Sequence, residues 1–227
     1  MAAIVVFCGW TLLRAARGAA LSVGAVPWAV LIVAAAAVWT MLRPFVIPSP
    51  GMADTLLPGD QVLIETAGQR LGRLPRRGDI VAFRYPVDPK QFFIKRVVAV
   101  PGDSLHIANK RLYLNGAEVR EPWASHKTAS IDLYRDYFPS AADVPVFTQG
   151  EQMLRHHVRN GQVVVPDGKY FVMGDNRDSS LDSRYWGFIT RGDIIGRAVL
   201  IYGSYDRATK AETALNTRWS RLLKRLS

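Results

Sequence analysis

A lysine set in an apolar strand can act as a general base, and this sequence holds one at Lys95. The run is Phe92-Phe93-Ile94-Lys95-Arg96-Val97-Val98-Ala99-Val100, and alternation puts Lys95 on the face of Phe93 and Val97. Burial disfavours the charged ammonium, so such a lysine without a carboxylate partner loses its proton more easily and can accept one at neutral pH. An edge-strand lysine whose amine snorkels into water is the competing account, and for Lys95 alone it is the commoner one. A second stretch with chemistry in it is Gly174-Asp175-Asn176-Arg177-Asp178-Ser179-Ser180-Leu181-Asp182-Ser183-Arg184-Tyr185-Trp186-Gly187. It packs three Asp, two Arg, three Ser and an Asn between two glycines. Asp182 and Arg184 are two apart, share a face on an extended chain and could pair. A solvated loop would have the same polarity. Tyr185-Trp186 belong against a packed surface, however, and a polar loop between strands is where sites are built.

The elements that must position these residues read as short strands. Gln61–Glu65, Asp79–Tyr85, Phe92–Val100, Gln162–Pro166 and Lys169–Met173 are apolar or β-branched runs bounded by Pro and Gly. Leu105–Ile107 and Arg111–Leu114 flank a hairpin signal, and Asn115-Gly116 is a second turn. Asp193–Tyr202 gives a last strand pair. The fold class is therefore mostly β. Residues 121–161 mix polar, aromatic and Pro residues and read as an insertion with small elements of its own.

Leu21–Leu42 runs 22 residues without a charge. At about 1.5 Å per residue that is roughly 33 Å, enough to cross a hydrocarbon core. Arg43-Pro44-Phe45 is a poor leader-cleavage site, so the run is expected to be a retained N-terminal transmembrane helix. Arg14 and Arg17 before it favour a cytoplasmic amino terminus, which puts the remainder outside. Residues 2–13 are too short to span alone, and a partial second insertion there stays open. The expected organisation is an anchor at 1–43, a β domain at 44–205 and a tail at 206–227. Within the tail, Trp219, Leu222, Leu223 and Leu226 are spaced for one helical face, with Arg218, Arg221, Lys224 and Arg225 beside them. A short basic amphipathic C-terminal helix is expected, on anionic lipid or in water.

Among 227 residues there are 29 Lys+Arg against 19 Asp+Glu, a net charge of +10 that suits nucleic acid or anionic lipid. The single cysteine, Cys8, excludes an intramolecular disulfide and a Cys-based metal site. Four histidines lack zinc-ligand spacing, and neither metal nor cofactor is expected.

A third stretch completes the pattern: Pro48-Ser49-Pro50-Gly51-Met52-Ala53-Asp54-Thr55-Leu56, just after the anchor. In order and content, it resembles bacterial type I signal peptidase (leader peptidase) together with Arg77–Val81, Ile94–Asp103 and the Gly174–Gly187 loop. The resemblance implies a mostly β domain that cuts signal peptides with a Ser/Lys dyad at the outer membrane face. By it Lys95 matches the general base, and Ser180 the hydroxyl that orients its amine. Asp182 and Arg184 match a supporting ion pair, and Ser49 a hydroxyl of the oxyanion hole. Met52, Thr55 and Leu56 match the substrate-binding box around the nucleophile. Signal peptides of exported preproteins and membrane lipid are the implied partners, with no nucleic acid.

The sequence departs from that family where its nucleophilic serine stands: Gly51 is there instead. Pro50 replaces the usual glycine and Asp54 the usual proline. Ser49 shares the strand face of position 51 but sits about 6–7 Å along the chain, whereas a base needs its hydroxyl within roughly 3 Å. Three readings follow. One is an active Ser/Lys endopeptidase using Ser49 or another hydroxyl. The second is a catalytically impaired relative that binds signal peptides without cutting. The third is a basic, membrane-tethered domain for anionic lipid or nucleic acid. The third ranks last, because the strands lack the basic, aromatic-rich pattern of single-strand binders.

Overall fold

The computed structural model describes residues 26–140, 146–206 and 216–226. They fall into two units, residues 26–41 and the β domain from Leu42 onward. The first is helix α1, Val26–Met41. Among the described residues no helix is long and apolar enough to cross a membrane. Part of the expected span, 21–25, and all of residues 2–13 lie outside the described residues.

The β domain contains two antiparallel sheets. The larger uses β1 (Leu42–Val46), β2 (Asp60–Glu65), β3 (Ile80–Arg84), β4 (Phe92–Ala99), β10 (Lys169–Met173), β11 (Ile189–Thr190) and β12 (Ile194–Asp206), in the order β1-β2-β12-β3-β4-β10-β11. Two short strands, β13 (Asn216–Thr217) and β14 (Lys224–Arg225), also pair with β12. The smaller sheet orders β7 (Ala117–Glu118), β6 (Arg111–Leu114), β5 (Ser104–Ala108), β9 (Gln162–Val164) and β8 (Val158–Arg159). A mostly β fold is thus what the chain adopts. The Ala108–Arg111 turn closes the β5–β6 hairpin with Asn109 and Lys110 both at positive φ, as a type I′ turn requires. Within the expected insertion lie β8 and helix α2 (Thr148–His156).

The expected last strand pair is instead one 13-residue strand, β12, which pairs with both β2 and β3. It stays continuous by irregular register at Ile194/Gly196, Ala198/Leu200 and Ile201/Gly203. Gly196 marks a close approach, since a β-carbon there would stand 2.2 Å from the Glu65 carbonyl oxygen.

The expected C-terminal helix is corrected over residues 216–226. They form β13, a 3₁₀ turn at Trp219–Arg221, and β14. Helical periodicity is overridden because the backbone bonds to β12: Leu223 N–H donates to the Ile201 oxygen at 2.8 Å and Leu226 N–H to that of Val199 at 3.0 Å. Leu226 enters the core formed by Ile47, Met52, Leu56, Val62 and Ile64. Trp219 and Leu223 stay exposed.

Candidate active site

β4 is an interior strand between β3 and β10, and Lys95 pairs with Val81 of β3 just past the end of the β10 ladder. The residue is only 6% exposed. Its Nζ donates to Ser180 Oγ at 2.8 Å, and among the described residues it forms no ion pair. The amine is brought down to about 8: burial lowers it most, Asp182 and Asp175 oppose this, and Arg184 adds to it. An amine so placed is partly neutral near physiological pH, as a proton acceptor must be.

Facing it is Gly51, in a 3₁₀ turn at Pro50–Met52. Asn176 clamps this turn: its N–H donates to the Gly51 oxygen at 3.3 Å, and its Nδ2 to the Pro50 oxygen at 3.1 Å. A β-carbon at position 51 would stand 2.9 Å from Lys95 Nζ, 3.6 Å from the Ser179 oxygen and 3.8 Å from Ser180 Oγ. A side chain at 51 would therefore start beside the Lys95 amine and the Ser180 hydroxyl. Gly174 makes the approach of these loops feasible, because a β-carbon there would meet the Gly51 oxygen and Ser180 Oγ at 2.2 Å each.

Asp182 and Arg184 form a two-pronged pair, Nε to Oδ1 and Nη2 to Oδ2, both 2.8 Å. Asp182 is 0% exposed and Arg184 1%. Asp182 also accepts the Gly174 N–H at 3.1 Å and caps the short helix α3 (Ser183–Trp186) through the Arg184 N–H. Arg184 Nη2 also donates to the Arg177 oxygen at 2.8 Å. Burial pushes the Asp182 carboxyl up, but the charge and hydrogen bonds of Arg184, the Lys95 amine and the Gly174 N–H together outweigh it, and the net direction is down. Both groups stay charged, and the pair locks the turn that carries Ser180.

A second buried pair was not foreseen from sequence. Arg96, next to Lys95, grips Asp175 with Nε to Oδ1 at 2.9 Å and Nη2 to Oδ2 at 2.7 Å. Its guanidinium lies 4.4 Å over the Trp123 ring. Arg177 makes a fork on Glu121, both bonds 2.6 Å. The available signal was alternation, since Arg96 must face opposite to Lys95 in the same apolar strand.

The Lys95–Gly51 contact opens into a cleft of about 530 Å³. Phe45, Ile47, Met52, Phe92 and Ile94 make it mainly apolar, and Ser49, Gly51, Lys95 and Ser179 bring polar atoms to it. Of the three residues expected to touch substrate, Met52 lines this cleft. Thr55 and Leu56 do not: Thr55 Oγ1 donates to Asp175 Oδ2 at 2.5 Å, and Leu56 is 0% exposed in the core. Ser49 lies at the cleft, exposed, and makes no hydrogen bond to Lys95 among the described residues. The arrangement sets a buried amine beside an apolar-walled cleft, with no hydroxyl on residue 51.

The family described as signal peptidase, peptidase S26, matches this chain over residues 21–203. Signal peptidase I of Pseudomonas aeruginosa is 36% identical over 191 residues, and that of Pseudomonas fluorescens 35% over 187. Each match covers 73% of this chain, and the chain spans 66% of the length of each of these two relatives. Signal peptidase I U of Bacillus subtilis is 33% identical over 171 residues, 75% of this chain and 80% of that protein. A solved signal peptidase I from Enterococcus faecalis is similar at 30% identity and a TM-score of 0.42, covering 55% of this chain and 96% of that one. With most of its length matched by the family, and relatives above 30% identity across nearly three quarters of it, the chain belongs to the signal peptidase S26 family.

Proposed function

We propose that this chain takes the signal peptides of exported preproteins into the Gly51–Lys95 cleft as an extended strand and holds them without forming an acyl-enzyme at position 51. Small side chains flanking a cleavage site fit beside the apolar wall, and main-chain bonds supply much of the affinity. Residues 21–42 tether the β domain, residues 44–205, at the outer face of the cell membrane. Lys95 is the base, Ser180 orients its amine, and Asp182 with Arg184 fixes the Ser180 turn. Ser49 belongs to the oxyanion hole. The observation that carries this reading is the 2.9 Å between Lys95 Nζ and the β-carbon position of Gly51, where a nucleophile would start but glycine ends. The names of the relatives support the substrate class.

Active cleavage through a different hydroxyl is the second reading. The Lys95–Ser180 bond of 2.8 Å favours it, because one hydroxyl is already within reach of the base. Purified protein in lipid, incubated with a signal-peptide precursor, separates the two. Binding without cutting, and Lys95-dependent cutting only after Gly51→Ser, supports the first. Cutting by the unaltered chain that Lys95→Ala abolishes establishes the second, with Ser49→Ala and Ser180→Ala to find the hydroxyl. Binding that ignores the precursor and falls steeply with salt would sink both.

A further inference from the structure

Residues 53–59 follow the Gly51 turn and precede β2 without regular secondary structure. Something must fix them if Gly51 is to stay against Lys95. Asn176 holds one side. On the other side is the segment 216–226, and its contacts are specific. Arg221 Nε donates to both oxygens of Asp60 at 3.0 and 3.2 Å, and its Nη2 to Asp60 Oδ2 at 2.5 Å and to the Thr55 carbonyl at 2.8 Å. Arg218 Nη2 donates to the Pro58 carbonyl at 2.6 Å, and its Nε to Ser204 Oγ at 2.8 Å. Ser204 Oγ in turn donates to Asp60 Oδ1 at 2.6 Å. Asp60 is 0% exposed, so its carboxylate depends on these partners. Leu226 packs in the same cluster as Met52 and Leu56.

We propose that residues 216–226 are a strap that positions the Gly51 turn, with Arg221 as its positioning residue. The line of contact is short. Arg221 fixes the Thr55 carbonyl, the Thr55 hydroxyl bonds Asp175, and Asp175 is gripped by Arg96, the neighbour of Lys95 in β4. One arginine thus bears on the loop that carries Gly51 and, through Asp175, on the strand that carries the base. That this placement serves peptide capture rests on the function proposed above; the bracing itself does not.

The test uses the full chain in detergent, with amide hydrogen exchange read residue by residue. Arg221→Ala is expected to speed exchange about tenfold at Ala53, Leu56 and Asn176, while Ile107 in β5 of the smaller sheet is unchanged. Arg221→Lys keeps the charge but loses the planar fork that lets Nε and Nη2 grip Asp60 together, so it should fall between, and it carries the comparison should Arg221→Ala fail to fold. Trp219→Ala, on an exposed strap residue, should leave all four amides as they are. Equal acceleration at all four amides would mean general destabilisation and overturns the proposal, as does no acceleration. A synthetic signal-peptide segment is titrated in parallel. If the unaltered chain does not bind it, the peptide-binding reading fails, and the amide pattern still decides the strap.

Discussion

The Lys95 amine lies 2.9 Å from the point where a β-carbon of residue 51 would stand. That contact is tighter than two unbonded atoms keep, and the crowded atom is the tip of a flexible side chain. Gly51 itself lies outside the left-handed region. A serine there requires a small movement of the amine and no change of backbone.

Gly51→Ser is therefore expected to fold, with stability within about 1 kcal/mol of the parent, because lost unfolded-state freedom offsets the local crowding. Its precursor cleavage should exceed the parent's by at least about a hundredfold and vanish in Gly51→Ser/Lys95→Ala. Gel-based cleavage assays read both. A silent Gly51→Ser with normal peptide binding would mean that position 51 is not where attack begins.

Lys95 also sets a pH dependence. Its folded amine titrates at about 8 against 10.5 for an ordinary lysine, so between these values the unfolded chain carries a proton that the folded chain lacks. Stability then rises with pH across that window, and below it the lysine costs its full amount, roughly 3 kcal/mol. Urea unfolding of the parent and Lys95→Met at pH 7 and pH 10 checks this. The margin by which Lys95→Met is the more stable should shrink at the higher pH.

Asp182→Asn removes one half of a fully buried pair and leaves Arg184 without its counter-charge. A loss of roughly 3–5 kcal/mol is expected in urea denaturation. The carboxylate also holds the Lys95 amine up. In this variant the amine should titrate below its present value, as followed by NMR of labelled lysine.

Thr55→Val keeps shape and deletes the 2.5 Å bond to Asp175. The cost should be about 1.5–3 kcal/mol, as for hydrogen bonds to charged groups. Thr55 does not line the cleft. Affinity for a signal-peptide segment, measured by isothermal titration, should fall only through loosening of the Gly51 turn, and by less than for Met52→Ala.

Much of the site was legible because its signals are local. Lys95 stood out as a charge in an apolar strand, and Asp182 and Arg184 as neighbours two apart. What escaped was set by partners distant in sequence. Arg218, Arg221 and Leu226 carry a helical spacing, yet Asp60 and β12 draw them into a strap. Thr55 and Leu56 lie beside the nucleophile position in sequence, but one turns to Asp175 and the other into the core. β12 reads as two strands because glycines punctuate it, whereas Gly196 is there to let β2 come close.

The pairing of β12 with β2 joins Arg197 to Glu65, and the residues of the smaller sheet are all made in between. Gly51 precedes β2, Lys95 lies on β4 and Ser180 follows β10; β4 and β10 pair directly, whereas β2 reaches them only across β12 and β3. Folding dominated by such non-local contacts is slow, in the range of milliseconds to seconds. A chain cut short before β12 has the lysine but lacks the strand that ties β2, and with it the Gly51 turn, to the rest of the larger sheet.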